Sequence, residues 1–155
     1  MLPSPATEDA NPLPFSLTLE VRDSCLCLHA QRAARALARR YDLALKPHGI
    51  TNGQFSLLMS LNRPEPPGMS AVASTLGMDR TTLTAMLKPL VRRGLASLAA
   101  DPEDRRGRRM VLTPAGRALL VAALPDWRAT QATIEALVRP ADAETLRAEL
   151  RAIAG

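Results

Sequence analysis

Aromatic residues are scarce in this chain: Phe15, Tyr41, Phe55 and Trp127 are the full set, 3% of 155 residues. A core must then be built from leucine, alanine, valine and methionine, which favours helices over sheets. Cysteine is scarcer still. Cys25 and Cys27 are the only two, too few for a disulfide-stapled scaffold. No apolar run approaches the ~20 residues that a membrane helix needs. The N-terminus, "MLPSPATEDANPLPF", has neither the basic start nor the apolar stretch of a secretory signal. Its four prolines read as a disordered arm over residues 1–16, and the compartment expected is the cytoplasm. The two histidines, His29 and His48, stand at no recognisable catalytic or metal-ligand spacing, and no phosphate-binding loop is present. Neither a cofactor nor catalysis is expected.

What is present is a helix-rich, basic chain. Hydrophobic residues make up 46% and the formal net charge is +5, enough apolar mass for one domain and a charge suited to an anionic partner. Leu26, Ala30, Ala34, Leu37, Tyr41 and Leu45 recur at helical spacing, so one long helix is expected from about Leu17 to Lys46. Pro47 and Gly49 stop it. A second helix is expected over Asn52–Leu61, and "NRPEPPG" then reads as a stiff loop. Ser70 is the expected N-cap of a short helix, Ala71–Leu76, closed by Gly77. Asp79 caps a further helix that ends at Gly94. Two helices joined by such a turn make a helix-turn-helix. "LASLAA" and "MVLT" read as strands on either side of the charged tip "DPEDRRGRR". Thr113 and Pro114 open another helix to about Val138, bent near Pro125, and a last one spans Ala141–Ile153.

The segments "DPEDRRGRRMVLTPAGR" and "LGMDRTTLTAMLKPLVRRGL" resemble the wing and recognition helix of the MarR family of winged-helix transcriptional regulators. The resemblance implies a mainly α fold with a small β-wing: a winged helix-turn-helix head over residues 50–113, and a helical dimerisation region over 17–49 and 114–155. It implies an intertwined homodimer on a palindromic operator, most simply as a repressor released by a small molecule or by thiol oxidation. The Ala- and Leu-rich stretches "GRALLVAAL" and "LRAELRAI" support a dimer independently, since one small chain cannot cover them.

In a helix-turn-helix the first residues of the second helix meet base edges in the major groove. Arg80, Thr81, Thr82 and Thr84 occupy that part. An arginine donates twice to guanine, and threonine methyls pack on thymine. Lys88, Arg92 and Ser70 suit phosphates. The resemblance places Arg106 at the minor groove with Asp104 bracing the hairpin, and Arg105 and Arg108 lie beside them. Residues 70–109 hold eight Lys or Arg against four Asp or Glu, so the excess charge lies on this segment.

For the thiols, an unbroken helix turns positions two apart by roughly 200°. Cys25 and Cys27 then neither share a metal nor close a disulfide with each other. Cys27 shares a buried-looking stripe with Ala30, Ala34, Ala38 and Tyr41. Cys25 falls nearer Arg32, Arg39 and His29, a basic neighbourhood that favours a thiolate. In the organic-hydroperoxide-sensing OhrR branch a first-helix cysteine bonds tyrosines of the partner subunit. The resemblance lays it on Cys27 and one tyrosine on Tyr41, while Asn52 stands where the second is expected. Small core residues, a redox sensor, and a metal or metalloid site across the dimer all stay open. The other family route is a small aromatic effector between dimer helices and head, with Arg32, Arg35 or His48 pairing its carboxylate. The rival class is a thiol peroxidase using Cys27, which needs a positioned partner and a pocket.

Overall fold

A computed structural model of the chain describes residues 13–104, 106–138 and 140–155. Residues 1–12 of the expected arm, and the wing residue Arg105, lie outside the described residues. The chain divides into two units, Met1–Leu37 and Ala38–Gly155.

The first unit corrects the single-helix expectation. Helix α1 spans Phe15–Ser24, and α2 begins at Leu26 and runs to Leu45. Cys25 between them is extended, with φ −71° and ψ 104°. The local chemistry explains the break. The Ser24 hydroxyl donates to the Glu20 carbonyl at 2.6 Å, and Arg22 and Asp23 pair side by side at 2.6 Å. Ser and Asp side chains compete with the helix in this way. Cys25 then ends one helix and starts the next. Its N–H donates to the Val21 carbonyl at 3.0 Å, and its own carbonyl accepts from His29 N–H at 3.1 Å. No residue of α1 is buried.

In the second unit α2 leads through a short 3-10 turn, Lys46–His48, to Gly49 at φ 68°. Helix α3 follows over Asn52–Ser60. Thr51 and Gln54 form a reciprocal capping box at its start, satisfying two otherwise orphaned N–H groups. Helix α4 spans Met69–Leu76, and its N-cap is Gly68, not Ser70. Ser70 sits inside the first turn because the Gly68 carbonyl already accepts from Val72 N–H at 3.3 Å. Gly77 closes α4 in the left-handed region at φ 62°, a conformation that favours glycine.

Helix α5 spans Arg80–Arg92 and is continuous through Pro89. Strands β1, Ala96–Ala100, and β2, Arg108–Leu112, pair antiparallel with Ala96 opposite Leu112. Arg108 and Arg109 therefore belong to a strand rather than to the hairpin tip, opposite Ala100 and Ala99. Met110 N–H donates to the Pro67 carbonyl at 2.9 Å, and Gly68 bridges to Arg109. These contacts fasten the wing to the start of α4.

Helix α6 runs Pro114–Glu135 and is continuous through Pro125; α7 spans Pro140–Ala154. At Gly116 an added Cβ would lie 2.0 Å from the Leu95 carbonyl oxygen. Only glycine lets α6 start so close to the end of α5 and the wing.

The core lies in the head. Leu57 and Leu58 of α3, Val72 of α4, Leu83 and Leu90 of α5, and Met110 of β2 are all fully buried, with Leu45 of α2 joining them. Each such side chain contributes about 1.5–3 kcal/mol by leaving water.

Candidate nucleic-acid interface

The outward side of α5 follows from its inward side. Leu83, Leu87 and Leu90 are buried and hold the helix to the head, while Arg80, Thr81, Thr82, Thr84, Lys88 and Arg92 are exposed. Asp79 fixes the entry to the helix. One carboxylate oxygen accepts the Thr82 N–H at 2.7 Å and the other accepts the Thr82 hydroxyl at 2.7 Å. The Thr82 backbone N–H, followed by its hydroxyl, holds the Asp79 carboxyl below the usual carboxylate range. The Thr84 hydroxyl donates to the Arg80 carbonyl at 2.7 Å. Two of the three threonine hydroxyl protons are thus committed within the protein. Ser70 is exposed in the first turn of α4.

Carboxylates also shape the wing. Asp104 accepts the Arg106 N–H on its side chain at 2.9 Å and the Gly107 N–H on its carbonyl at 2.9 Å. Asp101 accepts the Glu103 N–H at 3.0 Å. That bond first, and then the Arg109 guanidinium, holds the Asp101 carboxyl below its ordinary range. A Cβ at Gly107 would meet the Cβ atoms of Asp101 and Asp104 at 3.0 and 3.1 Å, so the turn is closely packed. Arg106 is exposed at this turn, and Arg108 is exposed at the start of β2, where its guanidinium donates to the Gly107 carbonyl at 3.3 Å.

Sequence reasoning missed the clasp beneath them. Arg109 Nε lies 3.1 Å from Asp101 Oδ1, out of line for a hydrogen bond, so the contact is an ion pair. Arg109 Nη2 lies 3.5 Å from Glu103. Both partners of the main pair are largely buried side chains, 23% and 17% exposed. The signal was the placement of Asp101 and Arg109 on opposite arms of the hairpin next to its tip, visible only once β2 is seen to begin at Arg108.

The sensor candidates divide between the two units. Cys25 is half-buried and its sulfur accepts the Leu28 N–H at 3.4 Å, capping α2. Cys27 is exposed and accepts from Gln31 Nε2 at 3.3 Å. Within the described chain Cys27 is thus not buried as its expected stripe implied. Among the described residues Cys27, Ala30 and Ala34 form an exposed stripe, while Ala38 and Tyr41 further along it are half-buried. Cys25 precedes α2, so its facing cannot be counted along an unbroken helix, and helical spacing does not set the two thiols apart.

In the second unit Tyr41 is half-buried and its hydroxyl donates to Gln131 Oε1. Burial, and then the Glu135 charge, pushes the phenol up from its ordinary value. Tyr41 stacks on Trp127 with centroids 6.2 Å apart, and Phe55 stacks on Trp127 at 6.0 Å. Three of the chain's four aromatic residues therefore form one pile. A cleft of about 400 Å³ opens beside it, lined by Phe55, Met59, Thr75, Leu76, Leu124 and Trp127, with Ser56 and Ser60. Two of the expected carboxylate partners are already engaged. His48 Nε2 lies 2.6 Å from Asp126, and Arg35 donates to Gln31 at 3.3 Å.

A helix-turn-helix whose second helix is exposed along one side, followed by an antiparallel hairpin rooted on the first, defines a winged helix-turn-helix protein. The MarR family profile matches residues 50–107. Among solved structures, the transcriptional regulator MosR of M. tuberculosis in complex with DNA is 40% identical. That match covers 84% of this chain and 93% of MosR with a TM-score of 0.76. The transcriptional repressor CouR bound to a 23-mer DNA duplex is 27% identical, over 94% of this chain and 100% of CouR, with a TM-score of 0.77. The regulator TtmR of Methylorubrum extorquens is 36% identical over 97 residues, 63% of this chain and 50% of TtmR. This chain spans about half the length of the curated relatives it matches. The chain belongs to the MarR family.

Proposed function

We propose that the chain is a homodimeric, sequence-specific regulator of transcription, a repressor that binds a palindromic operator in double-stranded DNA and carries out no catalysis. The observation that carries the reading is the pairing, on one head, of an exposed recognition helix with a wing that exposes Arg106 on a hydrogen-bonded turn and Arg108 at the start of β2. MosR and CouR, which share the fold over most of their length, have both been solved with DNA. Arg80, Thr81, Thr82 and Thr84 read base edges. Ser70, Lys88 and Arg92 contact phosphates, and Arg106 enters the minor groove, where a narrow groove concentrates negative potential. Arg105 and Arg108 add charge beside it. Residues 50–113 form the DNA-binding head, and 17–49 with 114–155 form the dimerisation region. Among the described residues no helix is long and apolar enough to cross a membrane, which suits a cytoplasmic regulator.

The decisive experiment is to select bound duplexes from a random pool, then measure affinity for the winner against salt. Specific binding whose logarithm falls steeply with the logarithm of salt is expected. Salt-independent or motif-free binding would sink the reading.

The cleft beside the aromatic pile favours release by a small aromatic effector. Trp127 is the only tryptophan and lines that cleft, so effector binding should change its fluorescence and release DNA together. The second route is thiol oxidation at Cys25 or Cys27, with Tyr41 as the expected partner across the dimer. Organic peroxide should release DNA from the wild type and fail to do so in Cys25→Ser or Cys27→Ser. Release that persists in both variants removes the thiols from the signal.

A further inference from the structure

Around α5 each residue advances about 100°. Buried Leu83, Leu87 and Leu90 fix the inward direction. The opposite side carries Thr81, Ala85, Lys88 and Arg92 one above another, and all four are exposed. Ala85 stands in the middle of this ridge, with nothing beyond Cβ. On either side of it, the Thr82 and Thr84 hydroxyls are turned back on Asp79 and on the Arg80 carbonyl. The centre of the ridge is therefore apolar and shallow, between a reading end at Arg80 and Thr81 and a phosphate-binding end at Lys88 and Arg92.

We propose that Ala85 is a specificity-determining residue: it lets the recognition helix seat closely in the major groove, and its methyl packs on the C5-methyl of a thymine in each operator half-site. The inference rests on the DNA-binding reading above and deepens it. Thymine is the base that presents a methyl in the major groove, and alanine is a suitable partner for it. An amino or carbonyl edge at that place would give up its water for a group that cannot hydrogen-bond, a penalty that a methyl does not incur. A longer side chain at position 85 would hold the helix away and shorten the reach of Arg80 and Thr81.

The test uses the full chain. Duplexes bound by the wild type, Ala85→Gly and Ala85→Gln are selected from a random pool. In the wild-type motif each half-site thymine is then replaced in turn by uracil, which lacks only the methyl. One position should appear at which uracil weakens wild-type binding by about three- to fourfold, the size expected for one buried methyl group. At that position the thymine-to-uracil ratio should fall to near one in Ala85→Gly. Because the readout is a ratio, any helix weakening by glycine cancels. Ala85→Gln should move the preferred base there toward adenine, which glutamine reads with two hydrogen bonds. Equal ratios in the wild type and Ala85→Gly, or an unchanged motif in Ala85→Gln, would overturn the role of Ala85. Failure of the wild type to enrich any motif would overturn the DNA-binding reading and the role of Ala85 with it.

Discussion

The head and the outer helices are built from similar residues and treat them oppositely. Leu57, Leu58, Leu83 and Leu90 of the head are fully buried. In α7, Leu146, Leu150 and Ile153 are 41%, 48% and 76% exposed. In α1, Phe15 and Val21 are likewise exposed. The head closes its core within one chain because three short helices and a hairpin surround a single centre, with Leu45 of α2 and Leu120 and Ala123 of α6 completing it. Among the described residues, the apolar stripes of α1 and α7 have too few neighbours to cover them. The contrast separates a region that buries its apolar side chains within the chain from one whose apolar faces stay open, the faces on which the proposed dimer rests.

The sharpest challenge to that contrast is a cavity in the head. Leu57→Ala should cost about 2–5 kcal/mol of unfolding free energy, read from chemical denaturation. The matching change Leu150→Ala should cost far less when the chain is too dilute to dimerise. Equal costs would erase the distinction. Next in size is a charge placed on the outer face. Leu150→Glu should convert the dimer to monomers in sedimentation and weaken operator binding by roughly a hundredfold, since two linked heads gain about that much over one. Its circular dichroism should keep the helical signal of the head. A dimer that survives the charge would place the interface elsewhere.

Within the head, Arg106→Ala should weaken operator binding about tenfold and flatten the salt dependence by about one counterion per subunit, without lowering Tm. The smallest effect belongs to the cap. Asp79→Ala should lower Tm by about 2–4 °C at neutral pH. The Asp79 carboxyl is held below its ordinary range in the folded state. Its contribution is therefore present above the unfolded carboxylate range and is lost as pH falls through the folded one. Wild type and variant should converge in acid, and a Tm gap that widens there would contradict the cap.

Much of the head was legible in its punctuation. Gly77, Asp79, Gly94, Thr113 and Pro114 mark turns and caps whose chemistry is local, and the elements between them follow. Ser70 misled because it is a good N-cap by type, yet Pro67 and Gly68 are tied to the wing and draw the helix start back by two residues. The break at Cys25 was hidden by a helical apolar rhythm that continues on both sides of it. A hydroxyl and a carboxylate competing with the backbone do not disturb that rhythm. Arg109 looked like one more arginine of a basic tip, and a cross-strand contact with Asp101 makes it part of the scaffold.

From sequence alone came the helical composition, the element order of the head and the family motifs, because capping, turn formation and periodicity act over a few residues. Tertiary structure alone decided which charges stay free and which are spent within the protein, and which apolar faces remain open. It also decided that Tyr41, Trp127 and Phe55 meet in one pile. Those outcomes depend on residues distant in the chain coming together, and no local pattern records such a meeting.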